Sequence, residues 1–189
     1  MHLKPLLYKY RGYTPLPMVL IFAFYARPSS VSFGWGILLM VLGESLRIWS
    51  VAYAGHKTRS RTLEAEKLII WGPFARTRNP LYLANMFIYT GATVISNIWL
   101  PYFVFVVWIY FGIQYSIIIR MEEAFLAGLF GESYLAYKRR VPRVIPSPSP
   151  KVHCHTQNPD YKASFISEKS TFISIMGILL LFGIRAYFI

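Results

Sequence analysis

The sequence predicts an all-α fold: a polytopic helical membrane protein with about five transmembrane helices. Three observations carry this expectation. The 189 residues are 55% hydrophobic and only 15% charged, against roughly 25% charged in an average soluble domain. The apolar residues are gathered into runs long enough to cross a hydrocarbon core, which takes about 20 helical residues. The positive charge is confined to alternate loops, so that it falls on one side of the bilayer.

The elements follow in order. The N-terminus, MHLKPLLYKYRGYTPLPMVLIFAFYA, has basic residues before an apolar run, as a signal peptide does. It lacks a small-x-small cleavage site after that run and is expected to be retained. Its apolar part, Tyr13–Arg27, is short and carries Pro15 and Pro17. It is expected to span, with tilt or local thinning, and the alternative is an interfacial helix. Ser32–Tyr53 is the second span. Glu44 and Arg47 within it are three residues apart, so they share a face and can pair. Charges at that depth mark either function or a packing pair. Pro80–Ser96 and Ile98–Ile119 are the third and fourth spans, and the turn between them is short enough to make them an antiparallel hairpin.

Met121–Arg140 reads as a separate amphipathic helix on the cytoplasmic face. Leu126, Phe130, Tyr134 and Tyr137 recur at helical spacing, and Gly128 and Gly131 weaken its middle. VPRVIPSPSP has four prolines in ten residues and cannot continue a helix. Lys151–Ser170 reads as a polar linker, and Thr171–Ile189 as the fifth span. Residues 1–146 thus form a core, and 147–189 a linker with a C-terminal transmembrane helix.

With five spans, the N-terminal segment, residues 54–79 and residues 120–170 share a side. They hold 17 of the 20 Lys and Arg: three, six and eight, respectively. The positive-inside rule places that side in the cytoplasm. The formal net charge of +12 raises nucleic acid as a partner. No basic stretch opens a nucleic-acid-binding motif, so anionic headgroups or an anionic substrate fit better. The lone cysteine, Cys154, excludes an intrachain disulfide framework. His153 and His155 flank it without a further ligand cluster, and no metal site is expected.

Two stretches carry chemistry. In residues 68–91, LIIWGPFARTRNPLYLANMFIYTG, Asn79 reads as an N-cap and Pro80 as the first helical residue. Arg76, Arg78 and Asn79 then stand at a helix N-terminus whose free N–H groups and dipole suit a carboxylate or phosphate. A capped helix with snorkelling arginines fits the same residues. In residues 120–146, RMEEAFLAGLFGESYLAYKRRVPRVIP, Glu122 and Glu123 follow directly on the fourth span and face the same boundary. They could pair with Arg76 and Arg78, bind a cation, act as a base, or simply start a solvated helix.

Together these stretches resemble the isoprenylcysteine carboxyl methyltransferases and the related phospholipid methyltransferases. Leu68, Ile69, Gly72, Pro73, Phe74, Arg78, Asn79, Pro80 and Tyr82 stand in register with the family's first motif. Glu122, Glu123, Leu126, Phe130, Gly131, Tyr134, Tyr137, Arg140, Val141 and Pro142 match the second, and Leu46, Arg47 and Trp49 an upstream element. The resemblance covers roughly residues 42–146. It implies an S-adenosylmethionine site outside any Rossmann sheet, and the chain has no G-x-G-x-x-G fingerprint.

Carried over by position, the cofactor contacts are Lys67, Leu68, Ile69, Phe74, Asn79, Pro80, Leu81, Tyr82 and Glu122. Glu122 would face the amino- or hydroxyl-bearing part of the cofactor. Phe74 and Tyr82 would pack on the adenine or near the sulfonium, where an aromatic face attracts positive charge. Arg78 would approach the cofactor carboxylate or pair with Glu122. The chain departs from the family at Asn79 (often His), Phe74 (usually Tyr) and Ala84 (Gly). The family's substrate arginine falls on Ile118, and Arg120 is its expected substitute. Glu123 is the nearest base for an acceptor that must lose a proton.

The function so implied is methyl transfer to a lipophilic or small acceptor at the cytoplasmic face: a prenylcysteine-type carboxylate, a phospholipid amine or a thiol. The alternative is a non-catalytic membrane scaffold or lipid-binding relative. Retention of Asn79, Pro80, Tyr82 and Glu122 together favours the enzyme. A transporter is disfavoured by the lack of repeats and paired broken helices.

Overall fold

The computed structural model describes residues 8, 10–55, 65–152 and 158–188. The described residues form helices and no strand: α1 (Leu16–Tyr25), α2 (Ser30–Ala54), a 3₁₀ turn (Gly72–Ala75), α3 (Pro80–Ser96), α4 (Tyr102–Arg140), α5 (Tyr161–Ser167) and α6 (Lys169–Phe188). Three of them, α2, α4 and α6, are long and apolar enough to cross a membrane, and the chain is an integral membrane protein. The basic residue Lys9, the basic part of the first loop at 56–64, and His153, Cys154 and His155 lie outside the described residues.

The central pair is α2 with α3, antiparallel and in close backbone contact. A Cβ added to Gly43 would stand 2.7 Å from the Ala84 carbonyl oxygen, and one added to Gly91 would stand 2.6 Å from that of Gly36. Lipid gives two helices no hydrophobic reason to associate, so small residues that let backbones approach supply the contact instead. Ser29 opens α2 with a capping box to Ser32, which satisfies two orphan N–H groups reciprocally.

The predicted α3–α4 hairpin is present, and α4 is longer than expected. The fourth span and the amphipathic helix form one run of 39 residues. Its part before the kink at Gly131, residues 102–130, is about 44 Å long at 1.5 Å per residue, longer than the hydrocarbon thickness of about 30 Å. Its apolar part is Tyr102–Ile119, so the helix from Arg120 onward projects beyond the membrane-crossing part. No separate helix starts at Met121, because nothing after Ile119 breaks the backbone before Gly131. That glycine has φ 52° and ψ −128°, a conformation that L side chains avoid. The bend lets Tyr134, Tyr137 and Val141 pack under Leu68 and Ile70 with Leu126 and Phe130. The predicted amphipathic face is therefore buried against the chain's own first loop.

α1 covers only ten residues of the expected first span, about 15 Å. The stretch still runs from one end of the bundle to the other. Arg11 lies 3.9 Å from Glu122, and the Arg27 N–H donates to the Ser96 carbonyl at the opposite end of α3 (2.9 Å). Before the helix begins, Thr14 accepts from Gln114 of α4 at 2.9 Å.

The C-terminal segment is tied back to the bundle. The polar linker contains the short helix α5, whose Ser164 hydroxyl donates to the Ile48 carbonyl of α2 (2.7 Å). Glu168, fully buried between α5 and α6, takes two hydrogen bonds from Arg47, both at 3.1 Å. Arg47 also donates to Asn85. The predicted Glu44–Arg47 pair is present only as a looser 3.8 Å contact, because the fork of Arg47 is aimed at Glu168. At the far end of α6, Arg185 donates to the carbonyls of Ala26 and Phe24.

Candidate functional site

The two motif stretches meet at the basic end of the bundle. They are sewn together backbone to backbone. The Arg78 N–H donates to the Pro142 carbonyl (2.9 Å), the Ser147 N–H to Arg76 (2.9 Å) and the Lys151 N–H to Ala75 (2.8 Å). The Thr77 hydroxyl donates to the Val144 carbonyl at 2.9 Å, and the Tyr137 hydroxyl to that of Phe74 at 2.8 Å. Gly72, at φ 58°, lies against the Tyr53 ring, where a Cβ would clash. Pro80 occupies the first turn of α3 as expected, and Asn79 takes the N-cap position without capping. The Asn79 side chain instead donates to the Arg143 carbonyl (2.8 Å), so its amide closes the seam between the two loops.

Glu123 is the ionic centre of that seam. Arg78 grips one carboxylate oxygen through two nitrogens, at 3.2 and 2.8 Å. Arg143 reaches both oxygens at 3.1 and 2.8 Å, and Lys138 stands 3.5 Å away. The remaining Arg78 donor is shared between the carbonyls of Lys138 and Val141, each at 2.8 Å. Burial pushes the Glu123 carboxyl up, but hydrogen bonds and charge from Arg143 and Arg78 outweigh it and hold the group below the ordinary glutamate range. A carboxylate stabilised in this way is a weaker proton acceptor than an ordinary glutamate. The expected Arg78–Glu122 pair is absent, because Glu123 is the carboxylate that points into the seam.

Glu122 points into a cavity instead. It accepts from the Tyr82 hydroxyl at 2.8 Å and faces Arg11 at 3.9 Å. Burial raises its carboxyl above the ordinary range, and the Tyr82 hydrogen bond and the Arg11 charge only partly oppose this. Arg11 in turn lies over the Tyr8 ring, 4.1 Å from its centroid.

The cavity is one continuous space of about 940 Å³, at the upper end for small-molecule sites. Lys67, Leu68, Ile69, Phe74, Arg78, Asn79, Pro80, Leu81, Tyr82, Glu122 and Glu123 all line it. Arg120 does not; it is exposed on the outer face of α4. Ile118, at the position of the family's substrate arginine, is fully buried in the core. The sequence reading missed Tyr8, Arg11, Tyr89, Phe111 and Tyr115, which also line the cavity. The last three rings continue from Tyr82 as a series, with centroids 4.7 Å (Tyr82–Tyr115), 5.8 Å (Phe111–Tyr115) and 4.1 Å (Tyr89–Phe111) apart. Helical spacing relates Phe111 to Tyr115 and Tyr82 to Tyr89 in the sequence. Arg11 carries no such signal. Among the described residues no three His, Cys, Asp or Glu side chains group as metal ligands.

The profile of the phospholipid methyltransferase family matches residues 31–133. The chain belongs to this family. It is 31% identical over 118 residues to protein-S-isoprenylcysteine O-methyltransferase B of Arabidopsis thaliana, a match covering 59% of this chain and 58% of that one. It is 30% identical over 117 residues to the protein-S-isoprenylcysteine O-methyltransferase of Saccharomyces cerevisiae and 31% identical to that of Homo sapiens. Those matches cover 59% of this chain and 47% and 40% of theirs. The chain thus spans about half the length of the curated relatives it matches. No solved structure matches it. The family region holds α2, α3, most of α4 and the first motif, whereas Arg11, Arg143, α5 and α6 lie outside it.

Proposed function

We propose that this phospholipid methyltransferase family member is an integral membrane methyltransferase. It uses S-adenosylmethionine as donor and a lipophilic acceptor, with the mouth of the cavity in the cytoplasm. The observation that carries the reading is the continuity of one cavity, from the Tyr82–Glu122 pair at its mouth to the apolar interior. The cytoplasmic assignment is supported by the sequence count, in which 17 of the 20 basic residues fall in the segments that five spans would put on one side.

The residues present fit the cofactor. Glu122 offers a carboxylate aimed into the cavity for an ammonium or ribose hydroxyl, and its raised affinity for protons marks a buried group suited to a cationic or hydrogen-bond-donating partner. Leu68, Ile69 and Phe74 provide apolar flanks for a purine. Tyr82 and Tyr115 present ring faces, which attract a positive charge. When bound, S-adenosylmethionine supplies an electrophilic methyl group on a sulfonium. The protein's part is then to hold the acceptor atom in line with that methyl and to exclude water, and both are positioning tasks.

The state of Glu123 bears on the acceptor class. With its carboxylate held by Arg78, Arg143 and Lys138, it is a weaker base than an ordinary glutamate. An acceptor that arrives already deprotonated, such as a carboxylate, needs none. That agrees with relatives named as O-methyltransferases of isoprenylcysteine, and it favours a prenylcysteine-type carboxylate over a phospholipid amine or a thiol. Arg11 beside Glu122, rather than Arg120, is the cation placed to face such a group.

Calorimetric titration of S-adenosylmethionine into Glu122→Gln protein tests the assignment. The expected result is affinity weakened tenfold or more with the fold intact, and unchanged affinity overturns it. Purified protein given methyl-labelled donor and membrane extract identifies the acceptor through the labelled product.

A further inference from the structure

Beyond Tyr82 and Glu122 the cavity continues between α1, α3, α4 and α6. One wall of this arm is α6, through Ser170, Thr171, Ser174, Ile175 and Ile178. That wall lies outside the region shared with the family, which ends at residue 133. Near its ends it is fastened by Glu168 to Arg47 and by Arg185 to the backbone of residues 24 and 26. Between the fastenings Ile175, Ile178, Leu179 and Leu181 of α6 are half-buried and pack against the core, while Ile173, Met176 and Leu180 face outward. Phe22 lines the arm; Phe182 of α6 does not, and packs against Phe22. Phe182 is fully buried, and its ring lies 5.5 Å from that of Phe22. From Ser170 to Phe182 the helix descends about 18 Å.

We propose that α6 sets the length of hydrocarbon chain that this protein accepts: the chain lies along Ser174 and Ile178 and ends at Phe22, which Phe182 backs. The proposal rests on the methyl-transfer reading for the identity of the headgroup at the mouth. The length discrimination itself belongs to the arm. The argument for a hydrocarbon occupant is its lining. Met18, Phe22, Ile88, Val107 and Ile178 offer no charge, and the charged groups of the cavity are gathered at its mouth and around Arg47. A molecule with one anionic end and one long apolar end matches that division. The argument for α6 as the ruler is its position. Each turn of helix that faces the arm covers about 5 Å of depth, and a side chain enlarged there closes everything beneath it.

The test needs a readout that does not depend on turnover. Cys154 is replaced by Ser, and a single cysteine is introduced as Ser174→Cys or, on the lipid-facing surface, as Leu180→Cys. Both proteins are placed in lipid nanodiscs and labelled with a small membrane-permeant thiol reagent. Labelling is run in the presence of S-alkyl-N-acetylcysteines from hexyl to hexadecyl. The expected result is that long-chain probes slow labelling of Ser174→Cys at least tenfold, that hexyl does not, and that Leu180→Cys shows no dependence on chain length. In parallel, Ser174→Phe shifts the preferred probe to a shorter chain while S-adenosylmethionine affinity stays unchanged. Labelling of Ser174→Cys that is independent of chain length, or equal protection at Leu180→Cys, overturns the proposal. Methylation of the probes without protection at Ser174→Cys refutes the ruler and leaves the methyl-transfer reading standing. Chain-length-dependent protection with no probe methylated supports the ruler and counts against the carboxylate acceptor.

Discussion

Arg78→Ala removes the centre of the seam between the two motif loops. The side chain is 10% exposed and Glu123 is 6% exposed, so solvent screening is slight. Two hydrogen bonds to a buried carboxylate and two to the carbonyls of Lys138 and Val141 disappear. Breaking one partner of a buried ion pair costs about 3–5 kcal/mol. Arg143 and Lys138 still face Glu123, which places the expected loss toward the lower end of that range. At about 2–4 °C per kcal/mol for a chain of this size, the midpoint of thermal unfolding in detergent should fall by roughly 6–12 °C. The damage should be local first, because α2 and α3 pack through contacts that Arg78 does not touch. Amide exchange should therefore quicken in residues 141–151 before it quickens in the spans. Arg78→Lys should recover little, since an ammonium cannot reproduce the four-way fork. Donor affinity should fall as a consequence of the loosened wall. If Arg78→Ala keeps its thermal midpoint and its loop protection while losing donor affinity, Arg78 is a direct ligand and the reasoning fails.

Three further outcomes follow from the same geometry. Glu123 has its proton affinity lowered by folding, so the unfolded chain binds more protons in the window just below the ordinary value of 4.5. Its contribution is thus complete above that pH and is lost as the pH falls through the folded value; a thermal-midpoint profile should drop there in the native protein and flatten in Glu123→Gln. Tyr82→Phe deletes the 2.8 Å hydrogen bond to Glu122, which at about 1.5–3 kcal/mol for a bond to a charged group should weaken donor binding by roughly one to two decades; calorimetry showing no change would mean that Glu122 is held elsewhere. Gly43→Val drives a side chain into the Ala84 carbonyl and Ile88, and such overpacking costs about 1–3 kcal/mol; its thermal midpoint should fall while Gly34→Val, whose Cβ meets nothing within 4 Å, leaves it unchanged.

Much of the site was legible because its residues are close in sequence. Leu68–Tyr82 and Glu122–Glu123 form short motifs, and the hairpin of α3 and α4 brings their ends together with few alternatives. The expected roles of Arg78, Asn79 and Glu123 were not legible in the same way. Whether Arg78 meets Glu122 or Glu123 depends on which of two adjacent helical positions turns toward the loop, a rotation of about 100°. The loop at 141–151, with Arg143 at its start, decided it by supplying carbonyls and a second guanidinium. Arg120 was a reasonable substitute by spacing along the chain, yet it faces outward, whereas Arg11 arrives from more than 100 residues away.

By itself the sequence determined the solvent and the class. Long apolar runs, the loops of one sign, the glycines and alanines of α2 and α3, and the spacing of two motifs depend only on composition and local periodicity. These are properties of neighbouring residues, and a bilayer reads them directly. The tertiary structure decided which carboxylate is locked in the seam and which lines the cavity beside Tyr82, how Arg11 comes to face it, and that Arg47 turns from Glu44, three residues away, to Glu168, 121 residues away. It also decided that α6 is a wall of the cavity. Each of these depends on where a long side chain points after distant segments have packed, and that direction is fixed by partners that no local pattern names.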